Sequence, residues 1–203
     1  MIKEYKVFMS AELSPRAAEI VSYTRLLLEK GGYNSFSYAD IAAQVNIRKA
    51  SIHHHFPSKA DLVRAVVVQY RTEAREGLAM IESKLETPLE MLRAYVGYWA
   101  ECIRSGSSSF CICALLAAEI PTMPEVIAKE VRGHFEDLST WLTSVLESGA
   151  SQGLVHLRAS PIVEARTFMA SVHGAMLAAR SFGDSEAFKV ITQLLIERLG
   201  SKA

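Results

Sequence analysis

Apolar residues recur at helical spacing along almost the whole chain, and no stretch shows the sustained period-two alternation rich in Val, Ile and Thr that marks a strand. Pro15 followed by Ala17, Ala18, Ile20, Val21, Tyr23, Thr24, Leu27 and Leu28 predicts a first helix with proline in its first turn and Gly31-Gly32 as its stop. Ser37 is an N-cap candidate with Asp40 in the capping position, so a second, short helix is expected through Ile41, Ala42 and Val45. Asn46, a residue that tolerates the left-handed conformation, sits where that helix must end before another begins over Arg48 to His54. Pro57 closes this third helix, Ser58 caps the next, and Leu62, Val63, Val66, Val67 and Tyr70 continue an apolar stripe towards Ser83.

Further helices are expected over Pro88 to Ile103, Phe110 to Glu119, about Glu125 to Ser148, Pro161 to Phe182 and Glu186 to Leu199, with Pro121, Pro124, Gly149, Gly153 and Gly183 among the breakers. That makes an all-α chain of about nine helices. Its most linker-like run is Ser105-Gly106-Ser107-Ser108-Ser109. There is no internal repeat.

The 203 residues are 50% hydrophobic and 22% charged, which excludes disordered, collagenous and disulfide-scaffold classes and permits one large domain or two small ones. Cys102, Cys111 and Cys113 cannot all pair with one another, so free thiols in a reducing cytoplasm are expected. Met1 to Ser10 carries Lys3, Glu4 and Lys6 where a targeting segment needs an unbroken apolar run; it reads as a frayed lead-in, with Met9 an alternative start. The longest uncharged apolar run, Phe110 to Ala118, is far shorter than the roughly 20 residues of a membrane-spanning helix.

The net charge of zero hides an uneven distribution. Met1 to Arg71 holds ten basic residues against six acidic ones, and the remainder holds twelve against sixteen. A basic N-terminal third joined to an acidic remainder fits a polyanion-binding module attached to a part that does not touch the polyanion.

Two short helices joined by a tight turn, the second bearing Arg48, Lys49, Ser51, His53 and His54, describe a helix-turn-helix, with Ile41, Ala42 and Val45 bracing the second helix and Ala50 small enough for close packing. The whole string from Ser37 through Asp40, Ile41-Ala42, Ile47, Phe56 and Ser58-Lys59 to Leu62 resembles the DNA-binding signature of the TetR family of transcriptional regulators. It departs from that pattern at Asn46, where the family often has Gly, and at His53, where it usually has Tyr. The resemblance implies a helix-turn-helix domain over residues 1–58 and a helical effector-binding and dimerisation domain over 59–203. It also implies a DNA interface in which Arg48, Lys49, Ala50, Ser51, His53 and His54 form the reading face while Ser37 and Lys59 hold phosphates. A metal site at His53-His54-His55 is the alternative, although adjacent helical side chains point about 100° apart.

Tyr95, Tyr98, Trp99, Cys102, Phe110, Met123, His134, Phe135, Trp141, Phe168, His173 and Met176 are core residues or, as the resemblance suggests, the lining of an apolar effector pocket. Phe110-Cys111 through Glu119 resembles the Gly-Cys-x4-Leu-Ala-x-Glu segment of a TetR-like branch that includes sensors of electrophiles and oxidants; Cys111, Leu116 and Glu119 match, and Phe110 replaces Gly. The resemblance implies a helix-opening cysteine activated by backbone N–H groups, and a place after the serine run predicts access as well. Read instead as a small hydrophobe, Cys111 only packs. A Cys-x-Cys metal site with Cys102 or His134 would need sulfurs that a helix splays apart, and no nucleophile elbow, phosphate loop or His-Glu-x-x-His supports an enzyme.

Phe168, Val172, Ala175 and Ala179, with Ile191 and Leu195 on the last helix, predict a dimerisation surface or an internal stripe. The combined expectation is a homodimeric repressor of a double-stranded, pseudo-palindromic operator, without cofactor or metal, released by a small apolar effector or by modification of Cys111. The competing readings are a ligand-responsive repressor with structural cysteines, and a helical binding module or enzyme with no DNA role.

Overall fold

The structure, a computed structural model, describes residues 13–106, 108 and 110–200; the lead-in read over residues 1–10, and Ser107 and Ser109 of the serine run, lie outside the described residues. Among the described residues there are nine α-helices and no strands: α1 Pro15–Gly31, α2 Tyr38–Gln44, α3 Lys49–His55, α4 Lys59–Lys84, α5 Pro88–Ser105, α6 Ile112–Glu119, α7 Glu125–Ser151, α8 Pro161–Phe182 and α9 Ser185–Gly200. Short 3-10 turns lie at Tyr33–Ser35 and Ile120–Thr122. None of these helices is long and apolar enough to cross a membrane.

The helix ends follow local chemistry. Ser14 accepts the Ala17 N–H at 3.3 Å ahead of Pro15. Ser37 and Asp40 form a reciprocal capping box on α2, and Ser58 with Asp61 repeats the arrangement ahead of α4, where Ser58 N donates to Asp61 Oδ2 at 3.0 Å and Asp61 N to Ser58 Oγ at 3.2 Å. Thr87 and Glu90 form a third box, on α5, which the sequence reading did not find. The α2–α3 turn is made by Asn46 at φ 53°, with the Ile47 N–H reaching back to the Ala42 carbonyl at 3.0 Å. That six-to-one bond closes a Schellman turn. α6 starts two residues later than expected, because the Cys111 carbonyl accepts the Ala114 N–H at 3.1 Å and Cys111 takes the capping position itself.

The backbone divides into two compact units, residues to Glu73 with Leu115–Val131, and Ala74–Ala114 with Arg132 onward. In the first, α1, α2 and α3 pack together, and Ile20, Leu28, Ile41, Ile52, Leu62 and Val63 are fully buried. Arg25 ties α1 to α4 through Glu73 at 2.5 Å and lies over the Tyr70 ring, and Glu130 of α7 takes Arg71 at 3.2 Å.

In the second unit α9 packs on both α5 and α8. The α8 stripe of Phe168, Val172, Ala175 and Ala179 is turned inward, each residue 4% exposed or less. The apolar surface left on α8 and α9 is carried instead by Ile162 and Val163 at the start of α8 and by Leu177, Phe182, Val190, Ile191 and Leu194, with Leu195 half-buried. α8 is apolar on more than one side, and the more regular stripe is the one the fold consumes.

The left-handed turn makes a direct prediction. Asn46→Val should lower stability by about 1–2 kcal/mol, because a β-branched residue resists positive φ, whereas Asn46→Gly should leave it near the wild-type value. Thermal or urea unfolding of the two variants checks this.

Candidate nucleic-acid interface

The third helix is seven residues long and buries one of them, Ile52. Arg48, Lys49, Ala50, Ser51, His53 and His54 are all exposed, so the positions expected to read DNA form one continuous solvent-facing surface. Ala50 is not the close-packing residue the sequence reading made it; packing is left to Ile52, and Ala50 lies with Arg16, Ile47, Arg48, Ser51, His54 and His55 along an open groove of about 640 Å³. Arg16, from the start of α1, adds a cation that a search of the short helices alone misses. Arg16, which also pairs with Glu19 at 2.5 Å, joins Arg48, Ser51, His54 and His55 in offering donors along the groove, which suits phosphate and base-edge acceptors.

What holds this surface still lies at its C-terminal end. The Tyr38 hydroxyl donates to the Phe56 carbonyl at 2.9 Å, and the His53 ring stacks obliquely on Tyr38 with centroids 4.7 Å apart. His53 Nδ1 lies 3.1 Å from the Pro57 carbonyl, and since a carbonyl only accepts, the proton is on Nδ1. In its neutral form His53 thereby presents Nε2 outward as an acceptor. Burial, then the negative charge of Asp61 and, once it ionises at high pH, the Tyr33 phenolate, pushes the Tyr38 phenol up to about 12, which keeps it a neutral donor.

The two expected phosphate holders are both engaged within the fold. Ser37 Oγ accepts the Ala39 N–H at 3.2 Å while its own proton goes to Asp40 Oδ2 at 2.8 Å. Lys59 donates to the Phe36 carbonyl and lies over the Tyr33 and Phe36 rings at 4.7 and 4.1 Å. Burial pulls its ammonium below the ordinary value, and Glu119 and Asp40 oppose that pull. An ammonium has three donors, so two remain for a phosphate.

Two family models match successive parts of the chain, one for the bacterial regulatory proteins of the tetR family over residues 20–66 and one for the tetracyclin repressor-like C-terminal domain over residues 88–195. The chain belongs to the TetR family. A TetR-family transcriptional regulator from Agrobacterium tumefaciens has 54% sequence identity and a TM-score of 0.90, covering 92% of this chain and 98% of that one. A TetR regulator from Legionella pneumophila has 27% identity and a TM-score of 0.82 over 93% and 99% of the two chains. The transcriptional regulator UidR of Escherichia coli is 23% identical over 163 residues, 72% of this chain and 83% of its own. The interface described above is therefore that of a TetR-family helix-turn-helix regulator.

The residues expected of an effector pocket in this TetR-family chain are divided between the two units. Met123 belongs to the first and the rest to the second, where Tyr98 is 45% exposed. In the second unit Tyr95, Trp99, Cys102, Phe110, His134, Trp141, Phe168 and Met176 are buried, with Phe135 and His173 half-buried. Tyr95 meets Trp141 and Phe168 at 5.9 and 6.5 Å, and Phe135 meets His134 and His173 at 5.6 and 5.5 Å. Trp141 Nε1, His173 Nε2 and Ser139 Oγ are buried without a hydrogen-bond partner.

Cys111 is fully buried, contrary to the access its sequence position suggested, and so is Cys113; all three cysteines are free thiols. His134 Nε2 lies 3.8 Å from Cys111 Sγ, a pairing 23 positions apart that the sequence could not show. Burial pushes the Cys111 thiol up, but hydrogen bonds with Cys113, His134 and His173 and the charge of His134 outweigh it and hold the thiol well below its ordinary value. Among the described residues no three His, Cys, Asp or Glu side chains are grouped to hold a metal ion.

Tyr38 supplies a pH test. Its phenol is raised in the folded state and ordinary, near 10, when unfolded, so its contribution is complete below pH 10 and is lost as pH climbs towards about 12. Tyr38→Phe should flatten the fall in unfolding free energy over that interval and cost about 1–3 kcal/mol at neutral pH, since the buried Phe56 carbonyl loses its donor. Urea titrations at stepped pH would show both.

Proposed function

We propose that this TetR-family regulator is a repressor that binds a pseudo-palindromic operator as a homodimer through α3 and leaves it when the C-terminal helices take up a small apolar or aromatic effector. The observation that carries the reading is α3 itself, which gives one side chain to the core and five positions, Lys49, Ala50, Ser51, His53 and His54, to solvent, with the exposed Arg48 immediately before it. Residues 1–58 then act as the DNA-binding domain and 59–203 as the effector-binding and dimerisation domain. Two copies must place their recognition helices about 34–36 Å apart to read successive major grooves. Leu177, Phe182, Val190, Ile191 and Leu194 fit the dimer surface better than the inward-facing stripe does. The ring cluster around Tyr95 and Trp141, with the unpartnered Trp141 N–H and His173 Nε2, fits an aromatic effector that brings its own polar atom.

A specific contact favours a second route of release. Cys111 caps α6 and faces His134, an arrangement that supports a thiolate, so oxidation or alkylation of that sulfur could release DNA in place of a bound ligand. Its full burial restricts such chemistry to small oxidants or electrophiles.

The test is retardation of DNA from the region upstream of this gene. Binding should weaken steeply with salt, and Arg48→Ala should cost about 1–3 kcal/mol at one operator position, while loss of a phosphate contact weakens all DNA alike. Absence of any salt-dependent affinity would favour a helical module with no DNA role. Treating the complex with hypochlorite or a quinone separates the two release routes: the thiol route predicts release of wild type and not of Cys111→Ser, and the ligand route predicts that neither responds.

A further inference from the structure

Glu119 is the last residue of α6, and its carboxylate leaves that helix to grip the segment just before α2. Oε1 accepts the Tyr33 backbone N–H at 2.9 Å, and Oε2 accepts from Asn34 Nδ2 at 3.1 Å. The approach is close enough to dictate the residue beside it. Gly32 stands at φ 76°, ψ −167°, a conformation essentially confined to glycine, and a Cβ there would lie 1.9 Å from Glu119 Oε1. The backbone therefore requires glycine at position 32, and any side chain there would also displace the Glu119 carboxylate. Every residue involved lies in the same compact unit.

The gripped segment leads directly into the nucleic-acid interface. Tyr33, the residue whose N–H Glu119 takes, also places its ring under the Lys59 ammonium, and Phe36 supplies both the second ring and the carbonyl that Lys59 donates to. One residue further, Ser37 caps α2, whose Tyr38 hydroxyl holds the end of α3. Tyr33 to Ser37 is thus a five-residue strap whose first peptide is fixed by Glu119 and whose last residue fixes the helix-turn-helix. A carboxylate close to the phosphate backbone would oppose DNA by its charge alone. Here both of its oxygens are taken up by hydrogen bonds from the strap.

We propose that Glu119 is a positioning residue for DNA binding: by holding the Tyr33–Asn34 peptide it sets the strap that seats Lys59 and orients the α2 cap, without itself touching DNA. The proposal rests on the reading of α3 and its surroundings as a DNA interface. It goes beyond that reading by assigning operator affinity to a residue of α6, outside the helix-turn-helix.

The experiment uses the full-length protein and a duplex from the gene's own upstream region, with thermal unfolding followed in parallel and affinities taken at a temperature where every variant is folded. Glu119→Ala should weaken binding about tenfold and make its salt dependence shallower by about one ion, as expected when the Lys59 seat is disturbed. Glu119→Gln should stay within about threefold of wild type, because the amide keeps an acceptor for the Tyr33 N–H and Asn34 can turn its own oxygen to the new NH2 group. Asn34→Ala, at an exposed site that should fold in any event, should weaken binding a few-fold, and adding it to Glu119→Ala should weaken binding no further, since each removes the same grip. A Glu119→Ala protein that melts earlier yet binds with wild-type affinity and salt dependence would overturn the proposal, reducing the contact to fold stability. A Gln variant as weak as Ala would overturn it as well, by making charge rather than the hydrogen bonds responsible. If wild type itself binds no DNA, the interface reading falls and the proposal with it, an outcome distinct from the others because no variant then has affinity to lose.

Discussion

The fold around the DNA-facing surface depends on one side chain, Ile52. A seven-residue helix cannot sustain itself in water, because nucleation costs more than so few hydrogen bonds return. α3 exists because Ile52 is wholly buried where α3 packs on α1 and α2, and because both of its ends are fixed, one by the Asn46 turn and the other by the Tyr38 hydroxyl on the Phe56 carbonyl. His53 stacks on Tyr38, and anchoring chiefly through one buried residue leaves Lys49, Ala50, Ser51 and His54 exposed. Those positions can then be chosen for the acceptors they meet rather than for the core they fill.

The same economy explains why the rest of the first unit is built of braces. Arg25 to Glu73 links α1 with α4, and Glu130 links α4 with the start of α7. None of these partly exposed pairs contributes much energy alone. Their effect is on register: α4 begins with the capped Ser58–Asp61 turn directly after α3, so fixing α4 along its length fixes where the short helix can lie.

Much of this was legible in the sequence because helix ends are written locally. Ser37 with Asp40, Asn46, and Pro57 with Ser58 each declare a boundary within four residues, and all three stand where the spacing put them. Long-range pairings were not legible. Glu119 reaches Tyr33 across 86 positions, and His134 finds Cys111 across 23, so neither partner carries a mark that names the other. The α8 stripe was ambiguous for a different reason. Phe168, Val172 and Ala175 have the spacing of an interface, and a buried helix face has the same spacing. Only the three-dimensional packing distinguishes the face that the chain covers itself from the one carrying Leu177 and Phe182.

If α3 reads DNA as proposed, its exposed side chains enter the major groove. Dimethyl sulfate tests it most directly, since it methylates guanine N7, which faces the major groove, and adenine N3, which faces the minor groove. With the protein bound to DNA from upstream of its gene, the account predicts guanine N7 positions protected at two sites one helical turn apart, with protection at one position of each site lost in Arg48→Ala. Protection confined to adenine N3, or a pattern unchanged by Arg48→Ala and by substitution of Lys49 and Ser51, would contradict it.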